Sequence, residues 1–138
     1  MQTPSVTGFY LGLLALIYAA LALEVARLRR GNRILFGDGD SVRLRSAIRA
    51  HANFIEYVPI IALLVAMLEM SGSSAIWVHV LMGALLVARL LHPLGMYAKT
   101  RTWQFSVGRV GGIVITLGVL IAAALFALVR FWPAIGGL

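Results

Sequence analysis

The chain has 138 residues, of which 61% are hydrophobic and only 12% are charged, and it contains no cysteine. A soluble domain of this length is normally about half apolar and a quarter charged, so the composition excludes an ordinary soluble enzyme and indicates a membrane protein. The formal net charge of +7 does not indicate a nucleic-acid-binding face, because the basic residues lie in the gaps between apolar runs.

Four membrane-spanning helices are predicted, within one domain over residues 1–138. Three runs carry no charged residue: Met1–Leu23, Met70–Ala88 and Val110–Val129. Each run is about as long as the roughly 20 residues that a bilayer core requires. A fourth run, Tyr57–Leu68, is shorter and must include the polar residues before it in order to span. The N-terminal run lacks the positive start of a secretory signal, so it is interpreted as a retained first span.

The helix bounds follow from turn and capping signals. The predicted bounds are Pro4 to Arg27 or Arg30, Ser41 to Met70, Ala75 to Tyr97 and Arg109 to Phe131, with Pro133 ending the last helix. Ser41 is a plausible N-cap, and the GDGD stretch before it is a strong turn signal. The short connections favour antiparallel neighbours in one all-α bundle.

The arginines predict the orientation of the bundle. The first linker region carries Arg27, Arg29, Arg30, Arg33, Arg43 and Arg45, and the third linker carries Lys99 and Arg101. The second linker has no basic residue. Since cytoplasmic loops are enriched in Lys and Arg, the first and third linkers are expected in the cytoplasm and both termini in the periplasm.

A polar stripe begins the second helix. Arg49, Asn53, Glu56 and Tyr57 are spaced to share one helical face. Glu56 lies roughly 16 Å along the helix from Arg45, where a lipid-facing charge would cost about 2.5 kcal/mol or more. The stripe is therefore expected to face the bundle interior, a partner subunit or a water-filled cavity. Glu69, near the other end of this helix, is expected to be solvated.

Two interpretations of the stripe remain open. Glu56 could pair structurally with Arg89 of the third helix or with Arg49. Alternatively, because the cations in this region outnumber the carboxylates, the stripe could bind an anionic ligand, since guanidinium groups bind carboxylates in a two-pronged geometry. No metal site is predicted, because the three histidines have no carboxylate or thiolate at metal-ligand spacing.

The stretch RAHANFIEYVP (Arg49–Pro59) resembles the second-helix signature of the MAPEG family, the membrane-associated proteins of eicosanoid and glutathione metabolism. ARLLH (Ala88–His92) is similar to the family's third-helix motif. The resemblance covers nearly the whole chain and is nearest to the small bacterial inner-membrane branch. The chain departs from the family in two places. Met96 stands where the family often has a tyrosine, with Tyr97 one residue late, and the third linker is longer.

The resemblance implies a homotrimer of four-helix protomers, with the cosubstrate glutathione bound between neighbouring subunits near the cytoplasmic side. The residues that it implies for glutathione binding are Arg29, Arg30, Arg49, His51, Asn53, Glu56, Tyr57, Arg89, His92 and Tyr97. The family's catalytic arginine, near the start of the fourth helix, corresponds to Arg109, with Arg101 as the alternative.

The function that the resemblance implies is a glutathione-dependent transferase or peroxidase in the bacterial inner membrane. Its second substrate would be a lipophilic electrophile or lipid hydroperoxide taken from membrane lipid. The chemistry fits, because arginines suit the two carboxylates of glutathione and Glu56 suits its ammonium group. The alternatives are a non-catalytic protein that binds lipid or glutathione and, from a third class, a small multidrug-type antiporter.

Overall fold

The computed structural model describes residues 3–99 and 101–135. Its helices are α1 (Ser5–Asn32), α2 (Val42–Met70), α3 (Ala75–Met96) and α4 (Gly112–Ile135), and a π-helical stretch, the π segment (Phe105–Gly111), leads directly into α4. Four helical stretches are long and apolar enough to cross a membrane, the fourth being the π segment continued into α4. The described residues contain no strand. The predicted all-α fold of four membrane-spanning helices is confirmed.

Turn and capping signals in the sequence predicted the bounds of α2 and α3 to within one residue. Ser41 is the N-cap of α2, and its hydroxyl accepts a hydrogen bond from the backbone N–H of Leu44 at 3.3 Å. The helix ends at Met70, as predicted, and α3 begins at Ala75. The first helix continues past Arg30 to Asn32, and Arg33 ends it in the left-handed conformation, at a φ of 54°.

The fourth helical stretch differs from the prediction at both ends. It begins at Phe105 rather than Arg109, because the last residues of the predicted linker wind into the π segment. At the other end Pro133 lies inside the helix, which continues to Ile135. A proline near the end of a helix disrupts few backbone hydrogen bonds, so α4 continues past Pro133 for two more residues.

The core lies where α2, α3 and α4 meet, with α1 laid against α2 and α3. It is formed by side chains such as Phe54, Ile61, Met82, Leu85 and Val119. Helix α3 is central, because it packs against α1, α2, α4 and the π segment, whereas α1 and α4 do not touch in the described residues. Many large apolar side chains cover the outside, which suits a bundle surrounded by lipid.

Glu69 corrects a prediction, because it is buried rather than solvated, with only 7% of its surface exposed. Its carboxylate accepts hydrogen bonds from the backbone N–H groups of Val6 and Thr7, both at 2.9 Å, and from the Thr7 hydroxyl at 2.6 Å. Pro4, at the N-cap of α1, makes no side-chain cap. Glu69 supplies the missing acceptor, and a negative charge is favourable at a helix N-terminus.

Candidate functional site

A polar cavity of about 230 Å³ opens at the end of the bundle that carries the arginine-rich α1–α2 loop. Its lining residues are Arg49, Asn53, Glu56 and Tyr57 of α2, His92 and Met96 of α3, Arg109 of the π segment and Ile113 of α4. The α2 stripe predicted from helical spacing thus faces a cavity that two other elements complete.

Helix α2 presents the stripe at its edge rather than in the protein core. Arg49 and Glu56 are exposed on the surface of the single chain, whereas Asn53 and Tyr57 are half-buried. Across the cavity His92 is buried, with 5% of its surface exposed. The cavity therefore has charged groups at its open side and neutral polar groups deeper in.

Arg89 lies behind the cavity and fixes the orientation of Asn53. Only 1% of its surface is exposed, and its Nη1 donates to Asn53 Oδ1 at 2.8 Å. Its Nη2 donates to the Gly112 carbonyl oxygen at 3.3 Å and to the Thr116 hydroxyl. Because a guanidinium can only donate, the Asn53 side chain must present its oxygen to Arg89, which leaves the amide N–H groups of Asn53 available to donate elsewhere.

Glu56 forms no ion pair with Arg89 or Arg49 among the described residues. The ion pairs found there are Glu24–Arg27, Glu24–Arg43, Asp38–Arg45 and Asp40–Arg45. Both structural pairs considered from the sequence are therefore absent among these residues. Arg89 is held instead by neutral oxygens of α2 and α4, and the Glu56 carboxylate, with no ion-pair partner in the described part of the chain, is available to bind a cationic group.

The π segment brings Arg109 to the cavity. The guanidinium carbon of Arg109 lies 5.5 Å from the centre of the Phe105 ring, which is within the range of a cation–π contact. The same segment packs against the end of α3 that carries His92 and Met96. One cationic side chain from the fourth helical stretch thus faces the α2 stripe.

The remaining predicted site residues do not line this cavity in the single chain. The His51 ring stacks on Tyr18 of α1, with ring centres 4.8 Å apart, and Arg29 donates to the Leu35 carbonyl oxygen at 3.1 Å. Arg30 lies on a separate groove of α1. Arg101 is exposed, in the left-handed conformation, before the π segment.

Tyr97 lies in a different cleft, of about 410 Å³, between α1 and α3. Partial burial, with the Glu24 carboxylate nearby, raises the pKa of the Tyr97 hydroxyl. A tyrosine is already protonated at neutral pH, and this shift extends the pH range over which the Tyr97 hydroxyl can donate a hydrogen bond. Arg89 lines this cleft and also donates the hydrogen bond to Asn53 behind the polar cavity.

Sequence reasoning missed Thr116 and gave no role to Ile113. Thr116 is fully buried, and its hydroxyl accepts from Arg89 and donates to the Gly112 carbonyl oxygen at 2.7 Å. One signal was present, because Thr116 is the only side chain with a hydroxyl, amide or charge between Gly112 and Val129. A single polar side chain in so apolar a helix needs a partner within the bundle.

Comparison with known proteins identifies the family. The model of the MAPEG family matches residues 7–129. The chain belongs to the MAPEG family. This MAPEG protein is therefore a membrane protein of the family concerned with glutathione and eicosanoid metabolism, and the resemblance inferred from the second- and third-helix motifs is confirmed.

This MAPEG protein is also similar to curated bacterial proteins. It is 38% identical over 101 residues to "Inner membrane protein YecN" from Escherichia coli strain K12, an alignment that covers 73% of this chain and 77% of that protein. The protein of the same name from Escherichia coli O6:H1 gives the same values. No solved structure matches the chain.

Proposed function

We propose that the protein is a glutathione-dependent membrane transferase or peroxidase that acts on lipophilic electrophiles or lipid hydroperoxides. The observation that carries this proposal is the set of charges around the polar cavity, which holds Arg49, Arg109 and Glu56. Glutathione has two carboxylates, one ammonium group and a thiol that can ionise. Guanidinium–carboxylate pairs are strong and directional, so Arg49 suits one carboxylate and Glu56 suits the ammonium group, which leaves Arg109 for the thiolate.

The neutral groups of the cavity fit the peptide part of glutathione. Asn53 has its amide N–H groups free because its oxygen accepts from Arg89, so it can donate to a peptide carbonyl. The Tyr57 hydroxyl can donate or accept. These groups would orient the tripeptide without adding charge.

Arg109 would stabilise the glutathione thiolate. A free thiol has a pKa of about 8.5, and a nearby cation lowers it. An arginine suits this role, because it keeps its charge in a poorly solvated site where a lysine readily loses it.

Two reactions follow from a stabilised thiolate. With an alkyl or aryl halide, the sulfur attacks carbon, a C–S bond forms, and the halide leaves with the bonding electrons. With a hydroperoxide, the sulfur attacks the terminal oxygen and the O–O bond breaks. The alkoxide takes a proton to give the alcohol, and the sulfenic acid of glutathione reacts with a second glutathione to give the disulfide and water.

We further propose that the site is completed by neighbouring copies in a homotrimer. Arg49 and Glu56 are exposed on the protomer at a depth where lipid would otherwise surround them, and a lipid-facing charge costs about 2.5–3.5 kcal/mol. The cavity of about 230 Å³ is also smaller than the roughly 300–1,000 Å³ of typical ligand sites. A neighbouring α1 would add Arg29 or Arg30, and a neighbouring α2 would add His51, none of which reaches the cavity within its own protomer.

The proposed location is the inner membrane of a bacterial cell, as the name of the E. coli relative states for that protein. Apolar electrophiles and lipid peroxides concentrate in the bilayer, so the second substrate would enter from lipid. Glutathione would enter from the arginine-rich end of the bundle, which the orientation rule places in the cytoplasm.

Calorimetry on the protein in lipid nanodiscs tests this proposal. Glutathione should bind, and turnover should follow with 1-chloro-2,4-dinitrobenzene or cumene hydroperoxide. The glutathione analogue that carries an ethyl side chain in place of the thiol-bearing one should bind without turnover. Binding of glutathione with no turnover of either substrate would favour the non-catalytic alternative. Absence of binding would overturn the proposal and leave the antiporter to be tested by drug–proton exchange.

A further inference from the structure

The π segment and α3 touch backbone to backbone at two glycines. A Cβ atom built on Gly95 would lie 2.0 Å from the backbone nitrogen of Arg109 and 2.6 Å from the carbonyl carbon of Gly108. A Cβ atom built on Gly108 would lie 2.6 Å from the backbone nitrogen of Gly95 and 2.9 Å from the Leu91 carbonyl oxygen. All these atoms belong to the backbone, so no side chain can turn away to make room.

A third glycine continues the close approach one turn later. A Cβ atom on Gly112 would lie 3.0 Å from the Cβ atom of His92 and 3.1 Å from the Ala88 carbonyl oxygen. Gly108 and Gly112 are four residues apart on the same face, the small-residue spacing that lets membrane helices approach closely. Gly118, further along α4, faces open space, because a Cβ atom added to it would meet no atom within 4 Å.

The contact lies directly beside the proposed catalytic machinery. Gly95 is flanked on α3 by His92 and Met96, and Gly108 precedes Arg109, so the residues on both sides of the contact line the polar cavity. The spacing between the two backbones therefore sets how far the Arg109 guanidinium lies from the α3 wall. The wider turn of the π segment occurs at the same place, and such turns within helices are frequent at functional sites.

We infer that Gly95, Gly108 and Gly112 are positioning residues, which hold Arg109 at the distance from the α3 wall that thiolate stabilisation requires. This inference rests on the proposed glutathione-dependent function. The three glycines touch no substrate themselves. They allow the backbones of the two helical stretches to lie in contact, and a side chain at any of the three positions would push these backbones apart.

Alanine substitutions give a graded test. To restore an ordinary contact of 3.4 Å, the backbones would have to separate by about 1.4 Å in Gly95→Ala, about 0.8 Å in Gly108→Ala and about 0.4 Å in Gly112→Ala. Gly118→Ala requires no separation and serves as the matched control. A misplacement of about 1 Å can reduce the rate about a hundredfold, so the expected loss of kcat grows in the order Gly118, Gly112, Gly108, Gly95.

Two measurements distinguish positioning from simple destabilisation. The ultraviolet absorbance of the bound thiolate, titrated against pH, reports the apparent pKa of the glutathione thiol, and calorimetry reports glutathione affinity. We expect Gly108→Ala to raise the apparent thiol pKa and to lower kcat at least tenfold, while glutathione affinity changes by no more than about threefold. Gly112→Ala, the mildest change, should show the same pattern at smaller size in a folded protein.

The outcomes separate this inference from the function on which it rests. If wild-type protein binds no glutathione or forms no thiolate, the proposed function fails. If the wild type forms the thiolate and Gly112→Ala and Gly108→Ala retain its normal titration, the positioning role is overturned. An equal loss of signal in Gly118→Ala would also overturn it, because that substitution leaves the α3 contact untouched.

Discussion

Arg89 is a buried cation whose hydrogen-bond partners in the described part of the chain carry no charge. Its guanidinium is held by Asn53, the Gly112 carbonyl oxygen and Thr116, and its Nε has no hydrogen-bond partner among the described residues. Its positive charge therefore adds to those of Arg49 and Arg109 around the polar cavity. In a medium of low dielectric constant, such a charge acts strongly on a bound anion.

Thr116 should contribute to stability through this network. Thr116→Val keeps the shape but removes the hydroxyl oxygen that accepts from Arg89. A buried donor left unsatisfied costs about 1–3 kcal/mol, and we expect that loss in the free energy of unfolding measured by titration with sodium dodecyl sulfate in mixed micelles. Thr116→Ser retains the hydroxyl and is the matched control. An unchanged stability in Thr116→Val would mean that Arg89 does not depend on this partner.

The exposed charges of the stripe should act on the ligand rather than on the fold. Arg49→Ala and Glu56→Gln should each weaken glutathione binding by about 1.5–3 kcal/mol, roughly tenfold to hundredfold in Kd, while the protein still assembles. Arg45→Ala, one turn earlier and paired with Asp38, is the matched control. If Glu56→Gln unfolds the protein and the surviving fraction binds glutathione normally, Glu56 has a structural role instead.

At the scale of the secondary-structure elements, the π segment favours Arg109 over Arg101 for the proposed role in thiolate stabilisation. It brings Arg109 to the cavity, whereas Arg101 lies before it and is exposed. Arg109→Ala should leave glutathione bound but should raise the apparent pKa of its thiol, so that the thiolate absorbance at neutral pH is lost. Arg101→Ala should retain the absorbance. The reverse pattern would assign the role to Arg101.

The contact between α1 and the far end of α2 should be a major stabilising feature. Glu69→Gln removes one of the two carboxylate oxygens that accept from Val6 and Thr7 and places an amide donor against their N–H groups. We expect a loss of about 1–3 kcal/mol in the free energy of unfolding. Glu24→Gln, which affects a partly exposed ion pair with Arg27, should cost no more than about 1 kcal/mol. Equal effects would contradict the capping role of Glu69.

Sequence patterns were sufficient to predict those features that depend on residues within a single helix. The α2 stripe, the Ser41 cap and the start of α3 depend on spacing and local hydrogen bonds, and the structure has them as predicted. The burial of Glu69 depends on a partner 62 residues away, which no local signal reports. The π segment likewise lies where Gly95 of α3 leaves room for its backbone, a contact between helices that no local signal reports. The predicted start of the fourth helical stretch at Arg109 was therefore wrong by four residues.

At the scale of the whole molecule, the bundle has one end rich in arginine and one end nearly without basic residues. The polar cavity lies at the arginine-rich end, close to the α1–α2 loop. Within the described residues, α1 begins and α4 ends at the opposite end of the bundle, so we expect both chain termini in the periplasm. This asymmetry is the basis for proposing that the polar cavity opens towards the cytoplasm.

Reporter fusions test this orientation. Alkaline phosphatase fused after Leu138 should be active, because it folds only in the periplasm, and a green fluorescent protein at the same position should be dark. A phosphatase fused within the α1–α2 loop, after Gly37, should be inactive and serves as the internal control. Fluorescence from the C-terminal fusion would place the cavity on the periplasmic side and would remove the argument for entry of cytoplasmic glutathione.

The capping of α1 by Glu69 also has a consequence for how the chain is made. Thr7 and the carboxylate that it binds are separated by 62 positions, so the ribosome must complete α2 before the start of α1 has its acceptor. A nascent chain released after α1 would leave those donors without a partner in the membrane interface, whereas one released after Met70 would have it. We therefore expect the first two helices to enter the bilayer as a hairpin, and quality-control proteases to remove single-span fragments faster than two-span ones.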